Sequence, residues 1–155
     1  MLQTFLLTLG TVTVLEYELP IRVYIEDTDA GGIVYYVNYL KYFERARTEL
    51  IRSMGLDKTA VMEDGSVFVV TSASIDYLLP ARLDDQVVAR ATVIDAGGAS
   101  IVFDQAVMRG TDLLARGRVS AALTDGETGR PKRMPLALRT ALKEAVKSNE
   151  VANDR

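Results

Sequence analysis

The sequence contains no histidine and no cysteine. Those two absences remove the Ser-His-Asp triad, the thiolate nucleophile, the histidine general base and every zinc site of the Cys/His kind. Disulfides are excluded as well, although a lack of cysteine points only weakly to a reducing compartment. Any hydrolytic chemistry has to run on carboxylates, hydroxyls, lysines or backbone dipoles. Positive charge is also in deficit: 18 Lys and Arg stand against 21 Asp and Glu, a net charge of -3. With a sequence pI near 5.0, the chain lacks the basic surface of a general nucleic-acid binder. No metal and no cofactor is expected.

Long hydrophobic runs are scarce too. The most apolar stretch, "MLQTFLLTLGTVTVL" at residues 1–15, is too short to span a bilayer, has no Lys or Arg ahead of its apolar part and shows no A-x-A-like cleavage site. It is expected to be an N-terminal extension, disordered or loosely packed, and the cytoplasm is the expected compartment. What remains is ordinary for one compact domain: 155 residues, 48% hydrophobic and 25% charged. That domain is expected over residues 16–148, with a frayed tail at 149–155.

Local patterns fill in its order. "EYELPIRVYI", residues 16–25, alternates around Pro20 as an edge strand does. Val37, Leu40, Phe43, Leu50, Ile51 and Met54 then recur at three- and four-residue steps, and Gly55 stands where a helix C-cap glycine belongs. This predicts a long helix over 36–54. Four strands are predicted at 66–78, 85–96, 100–110 and 113–125, joined by turns too short for parallel crossovers. A second amphipathic helix is predicted over 136–148, beyond Pro135. The fold class is α+β, with the long helix lying across an antiparallel sheet.

The tetrapeptide Asp-Ala-Gly-Gly occurs twice, at 29–32 and at 95–98. The second copy joins two alternating runs and reads as a hairpin turn. The first joins a strand to the start of the long helix. Unpaired N–H groups at a helix start can hold an oxyanion, glycines let a ligand approach closely, and Asp29 brings a carboxylate to them. That is the smallest equipment for hydrolysing an activated acyl group. The plainer reading, Asp27 and Asp29 as turn and capping residues, stands beside it. A calcium loop fails, because Gly31 and Asn38 occupy ligand positions of the "DTDAGG" register. Asn38 has the better N-cap side chain, which would leave Tyr36 outside the helix.

The stretch "VYIEDTDAGGIVYYVNYLKYFERARTE", residues 23–49, closely resembles the signature of hot-dog-fold acyl-CoA thioesterases of the 4-hydroxybenzoyl-CoA thioesterase type, and within them the YbgC group associated with the Tol-Pal system. "FVVTSASIDYLLPARLDD" continues the similarity, which covers roughly residues 19 to 125. The resemblance implies a hot-dog fold, a five-stranded antiparallel sheet wrapped around one long helix, here with an added C-terminal helix. It implies Asp29 as the acting carboxylate, the Tyr36 backbone N–H as the oxyanion donor and Gly32 as part of the substrate loop. It also implies pairing of two subunits side by side, often as tetramers, with sites at the subunit interface. Val34-Tyr35-Tyr36 departs from the V-Y-H common in the YbgC group and matches the tyrosine of the 4-hydroxybenzoyl-CoA enzymes. The substrate class implied is an acyl-CoA, with acyl-carrier protein or lipid-synthesis enzymes as further partners. For the CoA phosphates the basic candidates are Arg82, Arg130, Lys132 and Arg133. A non-catalytic acyl-binding or scaffold protein linked to envelope or lipid-synthesis partners is the alternative; a dehydratase of this fold is disfavoured by the missing histidine.

Overall fold

The computed structural model describes residues 8–9, 12–13, 15–55 and 62–154. Most of the expected N-terminal extension lies outside the described residues. The exceptions are β1 (Thr8–Leu9) and β2 (Val12–Thr13), which pair antiparallel. The main elements follow as β3 (Glu16–Arg22), α1 (Val37–Ser53), β4 (Ser66–Tyr77), β5 (Gln86–Ala96), β6 (Ser100–Arg109), β7 (Asp112–Asp125) and α2 (Leu136–Asn153). Five strands form one antiparallel sheet in the order β3-β5-β6-β7-β4. The α+β fold and its strand, helix, four-strand sequence are as the sequence predicts.

Period-two patterning builds the centre of that sheet. Along β5, Val87, Ala89, Ala91 and Val93 are buried while the residues between them are not, and β6 repeats the pattern with Ile101, Phe103, Gln105 and Val107. This buried face receives α1, whose Tyr39, Tyr42, Phe43, Ala46, Leu50 and Ile51 share one helical stripe. Helix and sheet approach closely at Gly117 of β7. A Cβ there would lie 2.9 Å from the Phe43 ring and nearer still to the Ser74 carbonyl oxygen, so only glycine lets Phe43 seat against the strand.

Three boundaries differ from the sequence reading. β3 stops at Arg22, because Ile25–Asp27 turn into a single 3-10 turn ahead of α1. α2 runs through Asn153, past the predicted end at 148, and Asn149 in that stretch is buried with its Nδ2 donating to the Val93 carbonyl oxygen at 2.7 Å. Asn38 is not the cap of α1: Tyr36 occupies that position, with helical φ -55 and ψ -29, and no side chain caps it.

Candidate active site

Residues 23–38 form an elbow between β3 and α1 that is held almost wholly by hydrogen bonds. Thr28 and Val34 bridge across a tight loop, inside which the Asp29 N–H donates to the Ile33 carbonyl oxygen at 2.9 Å. The Gly32 N–H donates to the Asp29 carbonyl oxygen at 3.0 Å, with Gly32 at φ +73, a left-handed conformation that favours glycine. Asp29 Oδ1 accepts from the Gly31 N–H at 2.8 Å, the Asx turn of the plainer reading. Its other carboxylate oxygen has no hydrogen bond among the described residues, and the side chain is exposed.

The loop is pinned to the helix through Asp27. Its backbone oxygen accepts from the Tyr35 N–H at 2.9 Å and from Asn38 Nδ2 at 2.7 Å. Asn38 does not cap, because it stands inside the first turn of α1 with its side chain turned back across the elbow. The Asp27 carboxylate accepts from the Tyr24 N–H at 2.8 Å. Beneath it lies the buried Tyr42 hydroxyl, which has no hydrogen-bond partner within ordinary geometry among the described residues; burial, aided by the Asp27 carboxylate beside it, drives its pKa well above the ordinary tyrosine value. On the outer side, Val34 N–H donates to the Ala81 carbonyl oxygen at 2.8 Å and Ala81 N–H donates to the Tyr39 hydroxyl oxygen at 3.0 Å.

Part of the elbow's backbone is left out of this network. The N–H groups of Asp29, Gly31, Gly32, Val34, Tyr35 and Asn38 have partners, whereas those of Ala30, Ile33, Tyr36, Val37 and Tyr39 have none among the described residues. Of the free ones, the Tyr36 amide is the N-cap residue's own. It lies at the amino end of a 17-residue helix, where the aligned peptide dipoles add positive potential. The Tyr36 carbonyl oxygen is fixed from the opposite side by the Tyr77 hydroxyl at 3.0 Å. Tyr36, Tyr39, Tyr77, Leu78 and Leu79 line an open cleft of about 300 Å³ beside it. A free amide at a helix start, a free carboxylate oxygen and an apolar cleft therefore all belong to the elbow or border it.

The predicted site residues fall into two groups. Asp29, Gly32 and Tyr36 come together at the elbow, and Arg82 joins them through its bridge to Ile33. Arg130, Lys132 and Arg133 lie near the other end of β4, where Ser66 pairs with Asp125 and Asp125 N–H donates to the Arg130 carbonyl oxygen. β4 has 12 residues, so the two ends are roughly 35 Å apart along the strand. Lys132 is already ion-paired with Asp64 at 2.9 Å. Tyr77, Asn38 and Tyr42 were missed by the sequence reading as parts of the site. The first two act through contacts distant in sequence, and Tyr42 looks like any aromatic on a helical stripe. Among the described residues no cluster of three acidic residues could hold a metal ion.

A five-stranded antiparallel sheet cradling one long helix is the hot-dog fold. The family model of the thioesterase superfamily matches residues 31–116, and the chain belongs to that superfamily. It is 40% identical over 126 residues to the acyl-CoA thioesterase YbgC of Haemophilus influenzae, covering 81% of this chain and 93% of that one. It is 36% identical to the acyl-CoA thioester hydrolase YbgC of Escherichia coli O6:H1, covering 81% and 94%. Among solved structures, a probable thioesterase from Bartonella henselae is 32% identical, with a TM-score of 0.69 over 77% of this chain and 98% of that one. Both the fold and the family resemblance read from residues 23–49 are borne out.

Proposed function

We propose that the protein hydrolyses acyl-CoA thioesters at the elbow, with Tyr36 N–H donating to the thioester carbonyl oxygen and Asp29 supplying the carboxylate. The unpartnered Tyr36 amide, at the amino end of α1 and on a residue that lines the cleft, is the observation that carries this reading. In one route Asp29 takes a proton from water as the water oxygen bonds to the carbonyl carbon, the carbon–sulfur bond breaks, and the proton ends on the departing sulfur. In the other, a free Asp29 oxygen attacks directly, CoA thiolate leaves, and water hydrolyses the mixed anhydride. Either route suits a thiol leaving group with a pKa near 8.5, which needs no strong general acid.

The sheet edges support a side-by-side homodimer. β3 is an edge guarded against strand addition, with Pro20 and with Glu18 ion-paired to Arg90 at 2.7 Å. β4 is the opposite edge, 12 residues long and exposing Val69, Val70 and Tyr77. A second copy pairing antiparallel with β4 about its middle brings the Tyr77 end of one strand beside the Ser66 end of the other. Arg130 and Arg133 of one chain then approach the elbow of its neighbour, where CoA phosphates need cations, and Arg82 joins them from the same chain.

Thiol release over short, long and aromatic acyl-CoA and acyl-carrier-protein thioesters tests the activity. Turnover on part of this panel is expected. No turnover with any thioester would favour the scaffold reading. Val70→Lys, which puts a charge on the β4 edge, is expected to yield monomers in sedimentation and to depress activity; an active monomer would contradict the shared site.

A further inference from the structure

About 16 Å along α1 from Tyr36, a second cavity of about 180 Å³ opens between the helix and the β4 side of the sheet. Ile51, Phe68, Ile101 and Phe103 make its walls apolar, yet Arg47 and Glu44 line it as well. The Arg47 guanidinium is aimed by the core. Its Nη1 donates to Gln105 Oε1 at 2.9 Å, and the buried Gln105 in turn donates from Nε2 to the Phe43 carbonyl oxygen at 2.9 Å. A guanidinium has five N–H donors. Among the described residues Arg47 makes no other hydrogen bond and no ion pair. Glu44 lines the same cavity, but its Oε1 accepts from Thr48 Oγ1 at 3.3 Å. Burial lowers the Arg47 pKa and the Glu44 charge opposes that shift, while the guanidinium stays protonated. The remaining donors of this guanidinium are available to an acceptor that enters the cavity.

The cavity's place in the sheet indicates what arrives. Phe68 and Val70 line it near the Ser66 end of β4, whereas Tyr36 is tied to Tyr77 at the other end. Antiparallel pairing of two β4 strands sets the Phe68–Val70 rim of one copy's cavity beside the Tyr77 half of its neighbour's β4, with the strands about 4.8 Å apart, and Tyr77 is the residue bonded to the neighbour's Tyr36. At roughly 30 Å³ per water-sized group, the cavity takes about six such groups. We propose that Arg47 of the second copy receives the far end of the acyl group, and that favoured acyl groups are short and end in an oxygen acceptor, a hydroxyl or a carboxylate, not in a methyl. This rests on the thioesterase and dimer readings above. A hydroxyl accepts from Arg47 and donates to Glu44; a carboxylate engages the guanidinium fork on two oxygens but also faces the Glu44 charge.

Non-hydrolysable S-alkyl-CoA thioethers of several chain lengths, ending in methyl, hydroxyl or carboxylate, provide the test when their binding is measured by calorimetry. At the best length an oxygen-ended thioether is expected to bind at least about tenfold more tightly than its methyl-ended counterpart. The separate hydroxyl and carboxylate arms show which oxygen is preferred. Arg47→Met is expected to erase the ratio in a variant whose melting and dimerisation confirm folding. If Arg47→Met does not fold, Arg47→Gln, neutral yet able to hydrogen-bond Gln105, carries the same prediction. No preference in the wild type, or a variant that weakens all three arms equally, would overturn the proposal. A preserved binding preference without hydrolysis of the matched acyl-CoA would support this site while contradicting the thioesterase reading.

Discussion

The two Asp-Ala-Gly-Gly segments share four residues and almost nothing else. At 95–98 the tetrapeptide turns β5 into β6, with Gly97 N–H donating to the Ser100 carbonyl oxygen at 2.8 Å and Gly98 accepting from the Met134 N–H at 2.9 Å. Among the described residues Asp95 Oδ1 accepts only from the next amide, that of Ala96, at 2.9 Å. At 29–32 the same residues precede a helix, and Gly32 takes a left-handed conformation that neither Gly97 nor Gly98 adopts. A short motif therefore acquires chemistry from the unsatisfied donors next to it, not from its own side chains. The hairpin copy lies near the start of α2, but its Gly98 carbonyl oxygen is already taken by Met134 and its chain continues into a strand; the elbow copy runs on into α1 itself.

The largest separation between the copies is expected from the aspartates. Asp29→Asn should lower kcat/KM by about 10² to 10⁴, while Asp95→Asn leaves it unchanged, as followed by thiol release. Glycines sharpen the contrast through stability. Gly32→Ala forces a side chain into positive φ and should destabilise by about 1 kcal/mol or more, whereas Gly98→Ala, with open space and ordinary φ, should stay within about 0.5 kcal/mol; urea unfolding measures both. Asn38→Ala removes the amide that joins α1 to the Asp27 backbone. A loss of about 1 kcal/mol together with reduced kcat is expected, and full activity would show that the elbow does not need this pin. The smallest effect belongs to Tyr77→Phe, which frees the Tyr36 carbonyl oxygen at an exposed position. It should shift stability by about 0.5 kcal/mol and lower kcat/KM only slightly.

Much of the fold was legible because its signals are local. The alternation of β5 and β6, the three-and-four spacing of α1 and the turns at Gly97 and Gly110 all repeat within a few residues, so the bounds of these strands and of α1 emerged close to their observed places; the pairing of β4 with β7, not with the β5 that follows it, was not legible. Asp29 and Gly32 were legible as a glycine-bearing turn before a helix, and the family resemblance gave them a role. Other features depend on partners far along the chain. Asn38 reads locally as a cap, yet its amide reaches Asp27, 11 residues back. Gln105 and Arg47 are 58 residues apart, and Tyr77 and Tyr36 are 41 apart. No periodicity encodes such pairs, since each forms only once the sheet has closed over the helix. The basic triplet at Arg130, Lys132 and Arg133 reads as one patch along the chain, but Asp64, far back in the sequence, holds Lys132 in an ion pair.

The central claim concerns one backbone N–H, and proline can delete it. Tyr36 sits at φ -55, which the proline ring accepts, and at a helix start, where proline's missing donor breaks no helical hydrogen bond. Steady-state thiol release from the best acyl-CoA substrate should therefore compare Tyr36→Pro with Tyr36→Ala, which loses the same ring but keeps the amide. With equal melting temperatures and oligomeric states, Tyr36→Pro is expected to have a kcat about 10² to 10³ below Tyr36→Ala. Equal rates in the two variants would contradict the assignment of the Tyr36 amide as the oxyanion donor.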